Sequence, residues 1–429
     1  MKTTLILSVF VLALLFTGCV TKEDPMKESS MFKVSIENVM ENKDFLYTGV
    51  FNTPVGAVDP GGAGPGDSYS FTFEAGPGTL LSFATMFVKS NDLFYAPSGE
   101  GIELFSGSVA LTGDISSQIM LYDAGTEVNE EPGTGPNQPL NGGDAGIVEN
   151  GSVQEISEVM DGFTYPAVSD NIMVSIENDG ATGFTVTISN LAGSSTPIAP
   201  GVWVIHSADN PLFEVGMADY GSGLEGLAEV GDPSSLAVHL DMNSGYVSPL
   251  APGAWAVHSS TSMPIFMTGS PDLGEGLEDL AENGDPTALA AMLGGKFGVS
   301  ASGAFNTPVG ASGPGALLPG NSYEFTFDAE EGEHLSFATM LVHSNDLFYS
   351  PSETGIPLFT GGSPLSGDIT SNIMLYDAGT EVNELPGVGP HQPARLNGGT
   401  DENGNVAIVN DGFTYPAVSS VVKITITPM

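Results

Sequence analysis

The chain has 429 residues, 41% of them hydrophobic, enough for two or three domains with real cores. Nine Lys and Arg stand against 52 Asp and Glu, a formal net charge of -43. Such a chain lacks the basic footprint that neutralises phosphates, so nucleic-acid binding is excluded; its surface favours cations and is repelled by anionic lipid headgroups.

Lys2 precedes an apolar run from Leu5 to Phe16, followed by Thr17-Gly18-Cys19. The run is short for a bilayer span and reads as the apolar region of a signal peptide. Small residues before the sole cysteine resemble a bacterial lipobox, which implies cleavage before Cys19 and acylation of its thiol. Phe16 departs from the leucine usual there. The protein is then exported and lipid-anchored to the cell envelope, at the outer membrane or cell surface; an ordinary secretory signal is the alternative. A single cysteine excludes an internal disulfide, so the fold must rest on core burial, with or without metal. Residues 20–30 are a polar linker.

Self-similarity organises the rest. FNTPVGA occurs at Phe51–Ala57 and Phe305–Ala311, LSFATM at Leu81–Met86 and Leu335–Met340. SNDLFY occurs at Ser90–Tyr95 and Ser344–Tyr349, IMLYDAGTEVNE at Ile119–Glu130 and Ile373–Glu384. All four pairs keep an offset of 254, and DGFTYPAVS closes each copy at Asp161–Ser169 and Asp411–Ser419 with an offset of 250. A repeat this long marks whole domains rather than solenoid units. The expected domains are 31–179 and 180–429, with a boundary in the polar, Gly-rich run Glu177–Gly183.

Most of each copy reads as strand. Tyr69-Ser70-Phe71-Thr72-Phe73 and Tyr323-Glu324-Phe325-Thr326-Phe327 alternate at period two, and Leu81–Val88 and Leu335–Val342 are nearly continuous apolar runs suited to central strands. A smaller duplication spans 197–293. PIAPGVWVIH at Pro197–His206 matches PLAPGAWAVH at Pro249–His258, and GLEGLAEVGDPSSLA at Gly223–Ala237 matches GLEDLAENGDPTALA at Gly276–Ala290. Leu224, Leu227 and Ala228 lie at helical spacing, with Gly231 suited to a C-terminal cap, Asp232 to an N-cap and Pro233 to a first helical position. Gly284, Asp285 and Pro286 repeat those roles. Both copies of this unit are expected in the second domain, leaving the first without one.

FNTPVG, SFATM, SNDLF, DAGTE, FTYPAVS and APG-W-VH followed by GLE-LAE-GDP together resemble the spondin N-terminal domain family, in its bacterial and archaeal branch. The resemblance covers almost everything after residue 30. It implies an all-β chain of two C2-like antiparallel β-sandwich domains, the second with inserted short helical hairpins. It also implies a calcium ion in the loops at one end of each sandwich and a role in adhesion or extracellular binding. The adhesive partner is not named by these residues.

No G-x-S-x-G, H-E-x-x-H, P-loop or dinucleotide-binding glycine motif is present. The six His are scattered, and three of them face other residues in the opposite copy: His334 faces Leu80, His343 faces Lys89, His391 faces Asn137. His206 and His258 recur beside Trp203 and Trp255 and read as packing residues. What recurs as chemistry is hard oxygen. Asp92, Asp123 and Glu127 in one copy match Asp346, Asp377 and Glu381 in the other, with Asp92 to Asp123 and Asp346 to Asp377 both 31 positions apart. Carboxylates crowded at strand ends are relieved by a cation, and calcium takes about 6–8 oxygens; turn building is the alternative role of such residues. Phe94-Tyr95 and Phe348-Tyr349 follow the aspartates and read as core beside that site or as exposed binding aromatics. The chain is therefore expected to be a non-enzymatic binding protein. The rivals are a secreted hydrolase using paired carboxylates and a passive surface-coat component.

Overall fold

Burial at period two sets the strands. In Ser68–Glu74, Tyr69, Phe71 and Phe73 point inward while Ser70 and Thr72 face solvent. Leu80–Phe87 is buried almost throughout because its sheet is covered on both faces. The computed structural model describes residues 28–429 except Asp144; the signal region, Cys19 and most of the linker lie outside the described residues. Among the described residues no helix is long and apolar enough to cross a membrane.

The protein is two all-β sandwiches built from antiparallel sheets. In the first, a sheet ordered Ser68–Glu74, Gly183–Asn190, Ile172–Asn178, Gly113–Asp114 faces a larger one. The larger sheet runs Gln154–Glu155, Ile119–Asp123, Leu93–Pro97, Leu80–Phe87, Ile198–His206, Phe45–Phe51. Between them lies one aromatic-rich core, in which Phe71 stacks on Trp203 at 5.6 Å and 4°. On the outer face of the larger sheet pack the helices Leu224–Val230 and Ser234–Met242, burying Leu224, Leu227, Leu236 and Leu240. The second sandwich repeats every layer, with Trp255 on Phe325 at 5.2 Å and the helices Leu277–Asn283 and Thr287–Leu293 outside.

The APG-W motif has a steric reason. A side chain on Gly201 would collide with the Ala84 carbonyl of the neighbouring strand, and one on Gly253 with that of Ala338. A Cβ on Gly49 would sit 2.7 Å from the Trp203 ring, and one on Gly303 3.1 Å from the Trp255 ring. The helical pairs follow their sequence signals: Gly231 and Gly284 end the first helices at φ 71° and 67°. Asp232 and Asp285 accept from the backbone N–H of Ser234 and Thr287 at 3.0 and 2.9 Å, capping the second helices.

The partition of the chain differs from the sequence reading. Gly183–Asn190 pairs along its whole length with Ile172–Asn178 and Ser68–Glu74, so a boundary at 179/180 cuts a hairpin inside the first sandwich. The cause is local. Asp179 Oδ1 accepts from Ala181 N at 2.9 Å and Asn178 Oδ1 from Gly180 N at 2.9 Å, closing a turn too tight to bridge two domains. The equivalent strand of the second sandwich is Ser29–Asn38, which lies between Ser322–Glu330 and Val422–Pro428. Phe32 pairs with Phe327 as Phe184 pairs with Phe73. The accessory unit is also redistributed: Ile198–His206 and its helices belong to the first sandwich, Leu250–Ser259 and its helices to the second. Each sandwich thus has one such unit. The first sandwich is inserted into the second, after the N-terminal strand and before Leu250–Ser259. Buried Asn38 ties the crossing, donating to Ser248 O and Leu317 O at 3.0 Å each; Asn190 does the same to Ala63 O and Thr196 O at 2.9 Å.

Residues 44–245 should therefore melt as one cooperative unit, and residues 31–179 should not; circular dichroism melting of both fragments checks this, and a cooperative melt of 31–179 would overturn the assignment. Phe32→Ala should destabilise by about 3–5 kcal/mol, with the loss confined to the second sandwich although residue 32 precedes the first.

Candidate functional site

The aspartates recurring at strand ends fold onto the turn that follows Ile119–Asp123. Asp92 is fully buried, and its Oδ2 accepts from Thr126 N at 2.9 Å, Thr126 Oγ1 at 3.3 Å and Glu127 N at 3.0 Å. Asp123 accepts from Gly125 N at 2.7 Å and from Asn129 Nδ2 at 2.5 Å. The second copy reproduces this: Asp346 accepts from Thr380 N at 2.8 Å and Glu381 N at 3.2 Å, Asp377 from Gly379 N and Asn383 Nδ2 at 2.7 Å each. In both copies the remaining oxygen, Oδ1 of Asp92 and of Asp346, is buried with no hydrogen-bond partner.

Each of these carboxyl groups lies within electrostatic reach of a second one. Burial, then the charge of Asp123, pushes Asp92 up to about 7; burial, then Asp377, does the same to Asp346. Asp123 and Asp377 are also raised, chiefly by burial. A third carboxylate faces each pair, Asp161 toward Asp123 and Asp411 toward Asp377. Asp161 Oδ1 accepts from Phe163 N and Asp411 Oδ1 from Phe413 N, both at 2.9 Å. Tyr165 donates its hydroxyl to Asp161, and Tyr415 to Asp411 at 2.5 Å. Both phenols are held well above their ordinary value by burial first and then by these carboxylates.

Glu127 and Glu381 are not part of that meeting. Glu127 is buried and accepts from Gly146 N and, at 3.3 Å, from Asn91 Nδ2; Glu381 accepts from Gly399 N at 2.8 Å. Each pins the long loop after its strand. Among the described residues no group of three or more His, Cys, Asp or Glu is gathered closely enough to hold a metal ion. The grouping expected from sequence, Asp92, Asp123 and Glu127 with Asp346, Asp377 and Glu381, is brought together only as the two aspartate pairs. Asp161, Asp411 and their tyrosines went unnoticed as site residues. Their signal was in plain view, an Asp with Tyr four positions on, recurring in DGFTYPAVS.

The test of a cation at these pairs is their chemistry. An unpartnered, fully buried carboxylate oxygen beside a second carboxylate needs either a proton or a cation, and the donors are all hard oxygens. Those residues fit a hard divalent ion held by two carboxylates with backbone and water oxygens completing its shell. Phe94, Tyr95, Phe348 and Tyr349 are fully buried and form core, not a binding surface. His206 and His258 each meet a buried serine, Ser82 at 2.9 Å and Ser336 at 2.8 Å, with the other ring nitrogen against a backbone carbonyl. Burial holds both imidazoles below their ordinary value, so they join neighbouring strands as neutral rings.

No protein-family model matches the chain, and no curated protein does.

Asp92 and Asp346 have folded values above the ordinary 3.8. Their stabilising contribution is therefore full below the unfolded value and is lost as pH rises through about 7. In chelator, thermal stability should fall between about pH 4 and 7, and Asp92→Asn with Asp346→Asn should flatten that fall. A melting profile whose slope is unchanged in the double variant would count against the assignment.

Proposed function

We propose that the protein is an exported, lipid-anchored surface protein whose two sandwiches are cation-braced modules for adhesion or extracellular binding, as the resemblance to spondin N-terminal domains implies. The observation that carries the cation is the orphaned Oδ1 of Asp92, repeated at Asp346, each carboxyl near a second one, buried Asp123 or half-buried Asp377. Calcium is the ion whose ligand preference suits this donor set, one per sandwich. Asp92 and Asp123 would hold the first, Asp346 and Asp377 the second, with Asp161 and Asp411 facing them. When bound, such an ion replaces the proton that the pair otherwise shares and stiffens the loops around the site. The extracellular ligand is unassigned, and membrane attachment is through Cys19 alone.

The hydrolase alternative is disfavoured by access. Paired catalytic carboxylates must reach substrate from either side of a scissile bond and stand about 5 Å apart or more. Asp92 and Asp346 are fully buried, so neither can reach a substrate from solvent.

Melting in chelator, then with millimolar calcium or magnesium, tests the cation. At about ten times the dissociation constant, linkage adds roughly 1.4 kcal/mol per site, a shift of a few degrees that magnesium should not match. Asp123→Asn should remove the first sandwich's share and Asp377→Asn the second's; equal shifts by both ions, or unaltered responses in the variants, would sink the reading. Cys19→Ser should release the protein from the membrane fraction, and mass spectrometry of the native protein should find an acylated N-terminal cysteine; a variant that stays membrane-bound contradicts the anchor.

A further inference from the structure

The chain has one arginine, Arg395, against 52 carboxylate side chains, yet among the described residues Arg395 pairs with none of them. It lies in a local extension of the second copy. Pro139 and Leu140 are adjacent in the first copy, whereas Ala394 and Arg395 separate Pro393 from Leu396 in the second. The extension reaches across to the other sandwich. Arg395 Nη1 donates to Pro77 O of the first sandwich and Nη2 to Gly387 O of the second. Gly76 permits the approach: a Cβ there would strike the Val388 carbonyl. These partners are neutral carbonyls, and they engage two of the five guanidinium N–H groups. Burial accordingly lowers the pKa of Arg395, with the nearby Tyr47 offsetting part of it.

The same arginine lines a cleft of 260 Å3 between the sandwiches, together with Lys43, Asp44, Thr79, His206 and His343. Burial holds both histidines below their ordinary value, His343 further through the charge of Arg395, so the rings are neutral there. Lys43 Nζ donates to Met242 O at 3.0 Å and meets Glu41, whose side chain is 85% exposed, at 3.2 Å. Two cations therefore line this space against one lining carboxylate, Asp44. Glu74 acts on the same Tyr47 as Arg395 without lining the cleft, and charges separated from the cleft by solvent are screened beyond about 8 Å at physiological ionic strength. A half-buried guanidinium without a counter-ion, with donors to spare and facing a cavity, is completed by a forked acceptor.

We propose that this interdomain cleft binds a small oxyanion, the carboxylate or phosphate group of an extracellular ligand, on Arg395 and Lys43. Because Arg395 also joins Pro77 to Gly387, an anion held there fastens the two sandwiches to each other. The experiment is isothermal titration of the protein with sodium phosphate and with sodium glucuronate at fixed ionic strength, with glucose as the uncharged counterpart. Saturable binding of one or both salts and none of glucose is expected, the better salt identifying the kind of group. Lys43→Gln and Arg395→Gln should each weaken it about tenfold or more. Lys43→Gln leaves the Arg395 bridge intact, so its effect cannot come from a loosened interface. Absence of saturable binding of either salt, equal binding of glucose, or wild-type affinity in either variant would overturn the proposal.

Discussion

The turn Asn178-Asp179-Gly180-Ala181 governs the layout of the whole molecule. Two Asx contacts close it within a few residues, which commits Gly183–Asn190 to the sheet that holds Ile172–Asn178. The first sandwich is thereby complete without help from the N-terminus. The second then lacks the strand between Ser322–Glu330 and Val422–Pro428, and the N-terminal strand Ser29–Asn38 is the sequence that fits there. Its alternation of Phe32, Val34 and Ile36 with polar residues matches Phe184, Val186 and Ile188. The duplicated APG-W-VH unit ceases to be an excess once this is seen, because each sandwich takes one.

Strands and helix caps were legible because they follow local rules: period-two burial in Tyr69–Phe73 and Gly-Asp-Pro between short helices. The allocation of strands to sandwiches was not. Two interchangeable strands, Phe32–Asn38 and Phe184–Asn190, satisfy the same slot, and only turn geometry chooses between them. Adjacency in sequence favoured the wrong pairing, since Gly-rich polar runs mark linkers and hairpin turns alike.

The acidic motif was half legible for a related reason. Recurrence identified DAGTEVNE as special, but an Asp that nails a loop to backbone amides and an Asp that faces another carboxylate look the same in sequence. Asp123 does both, whereas Glu127 and Glu130 serve the loop, Glu130 by accepting from Asn137 N at 3.0 Å. The helices contribute too. Glu282 is pushed up to about 7 by burial and then by Glu381, Glu278 and Asp401, and Glu229 is raised similarly beside Glu127. The accessory helical pair therefore abuts the turn that carries the acids, a proximity invisible in a linear sequence where Glu229 and Glu127 are a hundred positions apart.

The placement of Ser29–Asn38 also sets an order of assembly. As the chain grows from its N-terminus, Phe32, Val34 and Ile36 emerge first, yet their partners Pro428, Ile426 and Ile424 emerge last. The intervening sandwich can close on itself while this strand waits with its apolar edge unpaired. Ring closure over so long a span is slow relative to the local hairpins, because chain entropy is spent before the contacts that repay it form. The waiting strand is then open to a mismatched partner, either the like-patterned slot of the first sandwich or the edge of another nascent chain. Closing the first sandwich early, by the tight turn after Asn178, removes the nearer of those two traps.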